Sequence, residues 1–558
     1  MSPWLAALRA LPWILGLALL LAAASDALHS RDPGHGFRAQ LAHGGHATAI
    51  DLGLALFTLG LLISADRWWE RVIWAAFLAF YIASLICRAK TPSPLGGEGW
   101  GEGCRGGPPC PPVTPCPSAI LRWAEPAIVV MAAPALWFPT QYPPLTIASA
   151  VLLGAVWLAT TLVRRRFWPP APWNLALAVL VFMAAVGAAC SAVWDLTLPK
   201  VTGLLLGLAV YRALAEFARD RRSLLLALAG LLVLALGFSA MGLLFGELRA
   251  DKIPFVAALR VRIPQIDQAL PDTQGGRVST NQLGGTLLYI VPLLIGPLLV
   301  WRRPLAIPQR EWRLWMGLSA LGALILSAAL LLTQSRGAYI GMAAGLACLV
   351  GLRWRWGRWA LVAGGIALGL GVWRFWPEIA AQLARNPATT GLTAYGGLAS
   401  PGTLLWRVEV WERSIGYLGD VPFTGYGLGA FRAVDTLFYG PGMIGSGGTG
   451  SVFDVGVPHA HNVFLQMGFD TGIPGLLAYL AILLLAVREC WLLARRASGL
   501  YAALGMGALA TLVASHVYGL VDVVALGAKP GVLWWGLLAT IAAVSNHGTY
   551  HQDANTEG

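Results

Sequence analysis

Charge is scarce in this chain. Of 558 residues only 12% are Asp, Glu, Lys or Arg, against 57% hydrophobic, and the mean hydropathy is +0.65. A water-soluble fold of this length needs more polar surface than that, so a soluble globular protein is excluded. Paired cysteines are also lacking. Cys87, Cys190, Cys348 and Cys490 lie in or at the ends of apolar runs, where a thiol packs as a small hydrophobe. Cys104, Cys110 and Cys116 are evenly spaced, with no CxxC pair and no histidine nearby. No His/Cys cluster or EF-hand spacing of carboxylates marks a metal site, so neither a metal nor a cofactor is expected. A cleavable leader is not evident either, because the first apolar run, Leu11 to Leu28, is followed by polar residues and then by further spans.

What the chain has is apolar runs, about fifteen of them, many of roughly 17 to 25 residues. These predict an all-α polytopic membrane protein: a bundle of about 12–15 transmembrane helices with a large, partly helical extracytoplasmic loop. The expected organisation is N-terminal helices over 1–89, a low-complexity Gly/Pro-rich insertion over 90–119, and a transmembrane core over 120–377. A loop domain over 378–461, C-terminal helices over 462–546 and a polar tail over 547–558 complete it. The insertion, with its TPSPLGGEGWGEG run, cannot bury a core and is expected to be dispensable.

The formal net charge of +12 has a topological explanation. Arginines cluster at Arg164 to Arg166, at Arg219, Arg221 and Arg222, at Arg302 and Arg303, at Arg353, Arg355 and Arg358, and at Arg495 and Arg496. They alternate with arginine-poor loops, as cytoplasmic loops of a multi-pass plasma (inner) membrane protein require, so no nucleic-acid partner is needed. The loops at 246–280, Thr333 to Gly337, 378–461 and Asp522 to Lys529 then face outward. In the N-terminal third, counting back from Arg164 puts the insertion inside and the N-terminus outside if every run spans, whereas Arg9 argues for an inside N-terminus.

The outward segments hold the candidate chemistry. LLWRVEVWERSIGYL, Leu404 to Leu418, repeats apolar residues at helical spacing and reads as an amphipathic helix, with Trp406 and Trp411 suited to the membrane interface. Arg407 lies in it, and Glu409, Glu412 and Arg413 read as a solvated face of weak ion pairs. The turn Pro422 to Phe431 is rich in glycine, Arg432 follows it as a weaker phosphate candidate, and Gly440 to Gly450 reads as a flexible stretch. Arg336, in TQSRGAYIG, stands where an apolar helix begins. Helix N-terminal amides and a planar guanidinium together suit a phosphate; the alternative is an arginine snorkelling to lipid headgroups. His459, His461 and Asn462 share a turn ahead of the last long apolar block. Asn462 is placed to cap that helix or orient a substrate, and a neutral imidazole can accept a hydroxyl proton, with His461 preferred over His459. The plainer reading is a pair of hydrogen-bonded structural histidines.

Together, the helix from Asn281, Ser335-Arg336-Gly337, the Arg407 helix with its Pro422 to Phe431 turn, HNVFLQMGFDTGIPG from His461, and the His516 to Asp522 stretch resemble the O-antigen ligase and polymerase superfamily over about 281–522. One departure is Asp470, where many relatives carry glutamate. The resemblance implies a membrane-embedded glycosyltransferase that moves a glycan from undecaprenyl pyrophosphate to a hydroxyl of a glycan, lipid or protein acceptor on the outer face. It implies Arg336 and Arg407 on the pyrophosphate, His461 on the acceptor, and Arg432, His459, Asn462 and Asp470 as further substrate contacts. A polymerase joining lipid-linked repeats needs the same donor site. From another class, a transporter of an anionic lipid or solute is the competing reading, although no internal repeat and no charges near the centres of the late spans support it.

Overall fold

The computed structural model describes residues 3–30, 41, 44–65, 67–90, 119–246, 253–266, 268, 277–302, 308–374, 402–439 and 457–554. The insertion from 91 to 118, with Cys104, Cys110 and Cys116, and the Gly440 to Gly450 stretch lie outside these residues. All regular structure among the described residues is helical, apart from a single bridge between Gly246 and Val278. In chain order the helices are α1 Pro3–His29, α2 Gly44–Ser64, α3 Trp68–Lys90, α4 Ala119–Trp137, α5 Pro143–Arg164, α6 Asn174–Cys190, α7 Trp194–Phe217, α8 Arg221–Leu244 and α9 Pro254–Arg260. Then follow α10 Thr280–Leu287, α11 Val291–Val300, α12 Gln309–Thr333, α13 Arg336–Arg353, α14 Arg355–Arg374, α15 Gly402–Asp420, α16 Phe431–Tyr439, α17 Val463–Arg496, α18 Gly499–Gly519 and α19 Val532–Ala554.

Nine helices among the described residues, counting Thr280–Val300 as one, are long and apolar enough to cross a membrane. The protein is therefore an all-α multi-pass membrane protein. Burial separates centre from rim: Thr280–Val300 and Gly499–Gly519 are 78% buried, while Pro3–His29 and Pro143–Arg164 are 17% buried, which leaves Val151, Leu158 and Leu162 of α5 for lipid. Small residues let the central helices approach closely. A Cβ on Gly296 or Gly341 would stand 2.5 Å from the carbonyl oxygen of Ala503 or Ala514, so α18 packs backbone to backbone against α11 and α13.

Successive helices run between two faces, one carrying the arginine clusters and the other the long connections. α1 starts on the loop face, where Trp4 meets Trp411 edge to face at 6.5 Å, and ends on the arginine face, where Asp26 accepts from Arg488 at 2.9 Å. The N-terminal helices thus follow the alternation, and the insertion leaves from the arginine face. Two apolar runs are broken. The run from Asn281 divides at 288–290 because Pro292 has no amide to continue the first helix and instead sits in the opening turn of the next. In α17, Gly472 is non-helical at φ +71°, ahead of Pro474. At the C-terminus, helix continues to Ala554, through much of the expected polar tail.

The loop face has its own small core: Val410, Tyr417, Phe431, Val434, Val457 and Phe469. Arg413 belongs to it rather than to a solvated surface. It is 7% exposed and pairs with Glu409 and with Asp435 at 3.4 Å, while the Tyr417 hydroxyl donates to the same Asp435 oxygen at 3.0 Å. The Pro422 to Phe431 turn clamps this core to the bundle. Gly425, Gly427 and Gly429 all have positive φ, and a Cβ on any of them would come within 2.7 Å of a carbonyl oxygen, of Phe469, Gly187 and Leu196 respectively. Only glycine fits such contacts.

Candidate functional site

Three chain segments converge where the loop core meets the bundle. Asn462 caps α17, its side-chain oxygen accepting from the Phe464 and Leu465 amides at 3.0 and 3.1 Å. Its amide nitrogen donates to the Leu520 carbonyl at 3.1 Å, which ties the start of α17 to the end of α18 and delivers Asp522 to the histidine turn. His461 has a left-handed backbone, φ +47°, a conformation that costs about 1–3 kcal/mol in a non-glycine residue. It is held there by Trp411, whose indole N–H donates to the His461 carbonyl at 3.1 Å, and by the Trp406 ring, 4.9 Å from the imidazole. Trp406 and Trp411, expected at the lipid boundary, also contact the histidine turn.

Asp522 is the hub. Its Oδ1 lies 3.3 Å from His461 Nδ1 and 3.8 Å from His459 Nε2, and its Oδ2 accepts from Arg407 Nη2 at 3.4 Å. Burial works against ionisation of Asp522, but its interactions with His461 and Arg407 outweigh it and hold the carboxyl below its usual range. His459 moves the other way. Burial first, then the charges of His461, Lys200 and Arg407, push its imidazole down to about 3 despite Asp522, so it is neutral. Although His461 is within ion-pair range of Asp522, its Nδ1 is off line for a hydrogen bond, and Nε2 also has no partner. A buried imidazole with both nitrogens unsatisfied is costly, and such a group is placed to take up a substrate.

The arginines sit on one side of this hub. Arg336 is the first residue of α13, just after Ser335, whose hydroxyl accepts from the Ala338 amide at 3.4 Å. Its guanidinium is close enough to that of Arg407 for the two to repel, an arrangement that an anion between them relieves. On another side opens a cavity of about 540 Å³, lined by His459, His461, Asp522, Asp470, Arg432 and Lys200 among others, but not by Arg336, Arg407 or Asn462. Asp470 is buried and engaged: it accepts from Gln466 at 2.8 Å and from the Gly429 amide. The expected site residues therefore divide into an arginine pair and a cavity, with His461 and Asp522 at the junction.

Ligand atoms of His459, His461 and Asp522 lie within 4.8 Å of one another, a cluster not expected from the sequence. Its hydrogen bonding opposes a dication. His459 Nδ1 accepts from the His461 amide at 3.3 Å, which puts the imidazole proton on Nε2, the atom facing Asp522, and Arg407 already occupies the same carboxylate. Asp522 is a candidate site residue that sequence reading did not single out. The signal was a lone carboxylate in an outward turn, at the end of the His516 to Asp522 stretch.

Residues 321–480 match the family described as O-antigen ligase. That segment holds Arg336, Arg407, Arg432, the histidine turn and Asp470, while Asp522 and Lys200 lie outside it. No curated protein matches the chain significantly. The match supports glycan transfer of the ligase or polymerase type at the level of the family, and the arginine pair and most of the histidine turn's neighbours lie within it. The match over residues 321–480, with the motifs within it, supports the O-antigen ligase superfamily for this part of the chain.

Proposed function

We propose that the protein is an inner-membrane glycosyltransferase that moves a glycan from undecaprenyl pyrophosphate to an acceptor hydroxyl on the outer face. The observation carrying this reading is the buried His461, with an open Nε2, held against Asp522 between the Arg336–Arg407 pair and a cavity of about 540 Å³. The placement of the arginine clusters supports an outward orientation of this face. The donor pyrophosphate lies against the two guanidiniums, whose fork geometry matches phosphate oxygens, and the acceptor enters the cavity.

The acceptor hydroxyl donates to His461 Nε2 and its oxygen attacks the anomeric carbon. As that bond forms, the bond from the anomeric carbon to the phosphate oxygen breaks and its electron pair stays on the lipid pyrophosphate. Arg336 and Arg407 neutralise this developing charge, and Asp522 stabilises the imidazolium that receives the proton. A single displacement of this kind inverts the anomeric configuration. His459, neutral with its Nε2 3.8 Å from Asp522, does not compete for the proton.

The test is incubation of the purified protein in nanodiscs with a lipid-linked oligosaccharide and a panel of glycan, lipid and protein acceptors, followed by identification of the product. Transfer with release of undecaprenyl pyrophosphate is expected. Failure to consume the donor with any acceptor, or with a second copy of the donor as acceptor, would overturn the reading.

A further inference from the structure

Both ring nitrogens of His461 lack a hydrogen-bond partner, so the imidazole is oriented by the Trp406 and His459 rings beside it and by the main chain beneath it. That main chain is strained, at φ +47°. On the helix side Trp411 grips the His461 carbonyl, and Asn462 reaches the Leu520 carbonyl. On the other side the grip is Gln466. It is 4% exposed and lines the cavity, and its Oε1 accepts from the amide of Ala460, the residue before the histidine, at 2.8 Å. Its Nε2 donates to Asp470 Oδ1, also at 2.8 Å.

These two bonds fix which way the Gln466 amide faces. A main-chain N–H can only donate, so the oxygen must face Ala460, and the nitrogen then faces Asp470, whose carboxylate accepts. Turning the amide over would set donor against donor and acceptor against acceptor. Asp470 also accepts from the Gly429 amide, in the turn where a Cβ on Gly429 would stand 2.7 Å from the Leu196 carbonyl oxygen of α7. A line of hydrogen bonds thus runs from the glycine turn through Asp470 and Gln466 to the residue before His461.

We infer that Gln466 is a positioning residue for His461: anchored on Asp470, it holds the Ala460 amide and so sets the direction of the imidazole at the cavity wall. This rests on reading His461 as the residue that receives the acceptor proton. Gln466 acts through the turn and touches no reacting atom.

The experiment takes two readouts on the full-length protein in nanodiscs. One is the ring resonances of His461 and His516 in protein isotopically labelled at histidine; the other is kcat and KM with the lipid-linked oligosaccharide and the acceptor that gives product. Gln466→Met should shift the His461 resonance and leave in place that of His516, which is bonded to Tyr479 within the bundle. It should lower kcat by about 10–100-fold, the scale of a misplaced catalytic group, with KM for donor and acceptor within about twofold of wild type. On a His461→Ala background the same change should cost almost nothing more. Gln466→Glu and Asp470→Asn should each be impaired alone. Together they should return kcat to within about fivefold of wild type and the His461 resonance to its place, because the asparagine amide then donates to the glutamate and the pair keeps its charge. If Gln466→Met does not fold, this exchanged pair and its two single changes carry the test. The inference is overturned by a raised KM with unchanged kcat, by an equal loss on the His461→Ala background, by an exchanged pair no better than its parts, or by a His461 resonance that stays put. A resonance that shifts and is restored, in a protein that transfers to no acceptor, defeats the functional reading alone; transfer by the wild type with an unmoved resonance in the variants defeats this inference alone.

Discussion

Buried charge gathers at two places in this bundle, on opposite faces. On the arginine face Glu125 and Glu216 are enclosed by Arg212 at 3.2 Å, Arg164 at 3.0 and 3.7 Å, Arg166 at 3.2 Å and Arg219, and Arg212 also donates to Thr160 at 2.5 Å and lies over the Trp157 and Phe167 rings. In this network carboxylates meet guanidiniums, although Glu125 Oε1 and Arg212 Nε and Nη1 have no hydrogen-bond partner, and none of these residues lines the 540 Å³ cavity. On the loop face a single carboxylate, Asp522, serves two imidazoles and a guanidinium, and His461 is left with open nitrogens at a cavity wall. The first arrangement locks α4, α5 and α7 together. The second leaves both His461 nitrogens without a hydrogen-bond partner beside the cavity, so what separates the two clusters is that only this one borders the cavity.

Substitution in each cluster tests that contrast. His461→Ala should lower turnover by about 10²–10⁴-fold while donor binding persists, the range expected for loss of a general base. Adding Asp522→Asn to it should cost little more, because the two act as one unit. Donor binding by a retained lipid-linked glycan, measured beside product formation, separates the roles; lost binding with His461→Ala would move His461 into the donor site. In the arginine-face network, Arg212→Met should destabilise by about 3–5 kcal/mol through the carboxylate it strands, and the surviving folded protein should keep its kcat. A thermal unfolding curve in detergent checks the first half and single-turnover kinetics the second; a specific loss of kcat would erase the distinction between the clusters.

Smaller effects sharpen it. Arg336→Lys or Arg407→Lys keeps the charge but loses the two-pronged geometry, and each should reduce turnover by about 10–100-fold. Full activity in both would mean that a point charge is enough. The smallest expected change is with His459→Gln. Because burial and neighbouring cations hold His459 at about 3, it is neutral across about pH 5–9, and its replacement should leave the shape of the pH–rate profile in that window unchanged. A moved limb would show that His459 titrates during turnover.

The membrane class and the alternation of helices were legible because hydropathy and arginine placement act locally along the chain. So were Asn462 as a cap and Arg336 at a helix start, since both depend on a few adjacent residues. The Pro422 to Phe431 glycines were visible as a turn, but not that they seat against α6, α7 and α17. What sequence did not disclose comes from distance: Arg407 and Asp522 are 115 positions apart, and Lys200 reaches the cavity only because turns at Gly429 and Gly527 close around it. The second role of the tryptophans was hidden for a related reason. An indole on an outer amphipathic helix satisfies the rule for lipid interfaces, and only the fold shows that Trp411 spends its N–H on the His461 carbonyl.

The break at Gly472 has a mechanical consequence. A Cβ there would stand 2.4 Å from the Phe423 carbonyl oxygen, and the Ile473 amide donates to the Pro422 carbonyl at 2.7 Å. Main chain rests on main chain, with no side-chain rotamer between them to absorb a displacement. The loop core therefore cannot slide over α17 by small adjustments; any movement that admits a long glycan must pivot about this point, carrying Phe469 and Asp470 with it, or take place elsewhere on the loop face while this junction stays still.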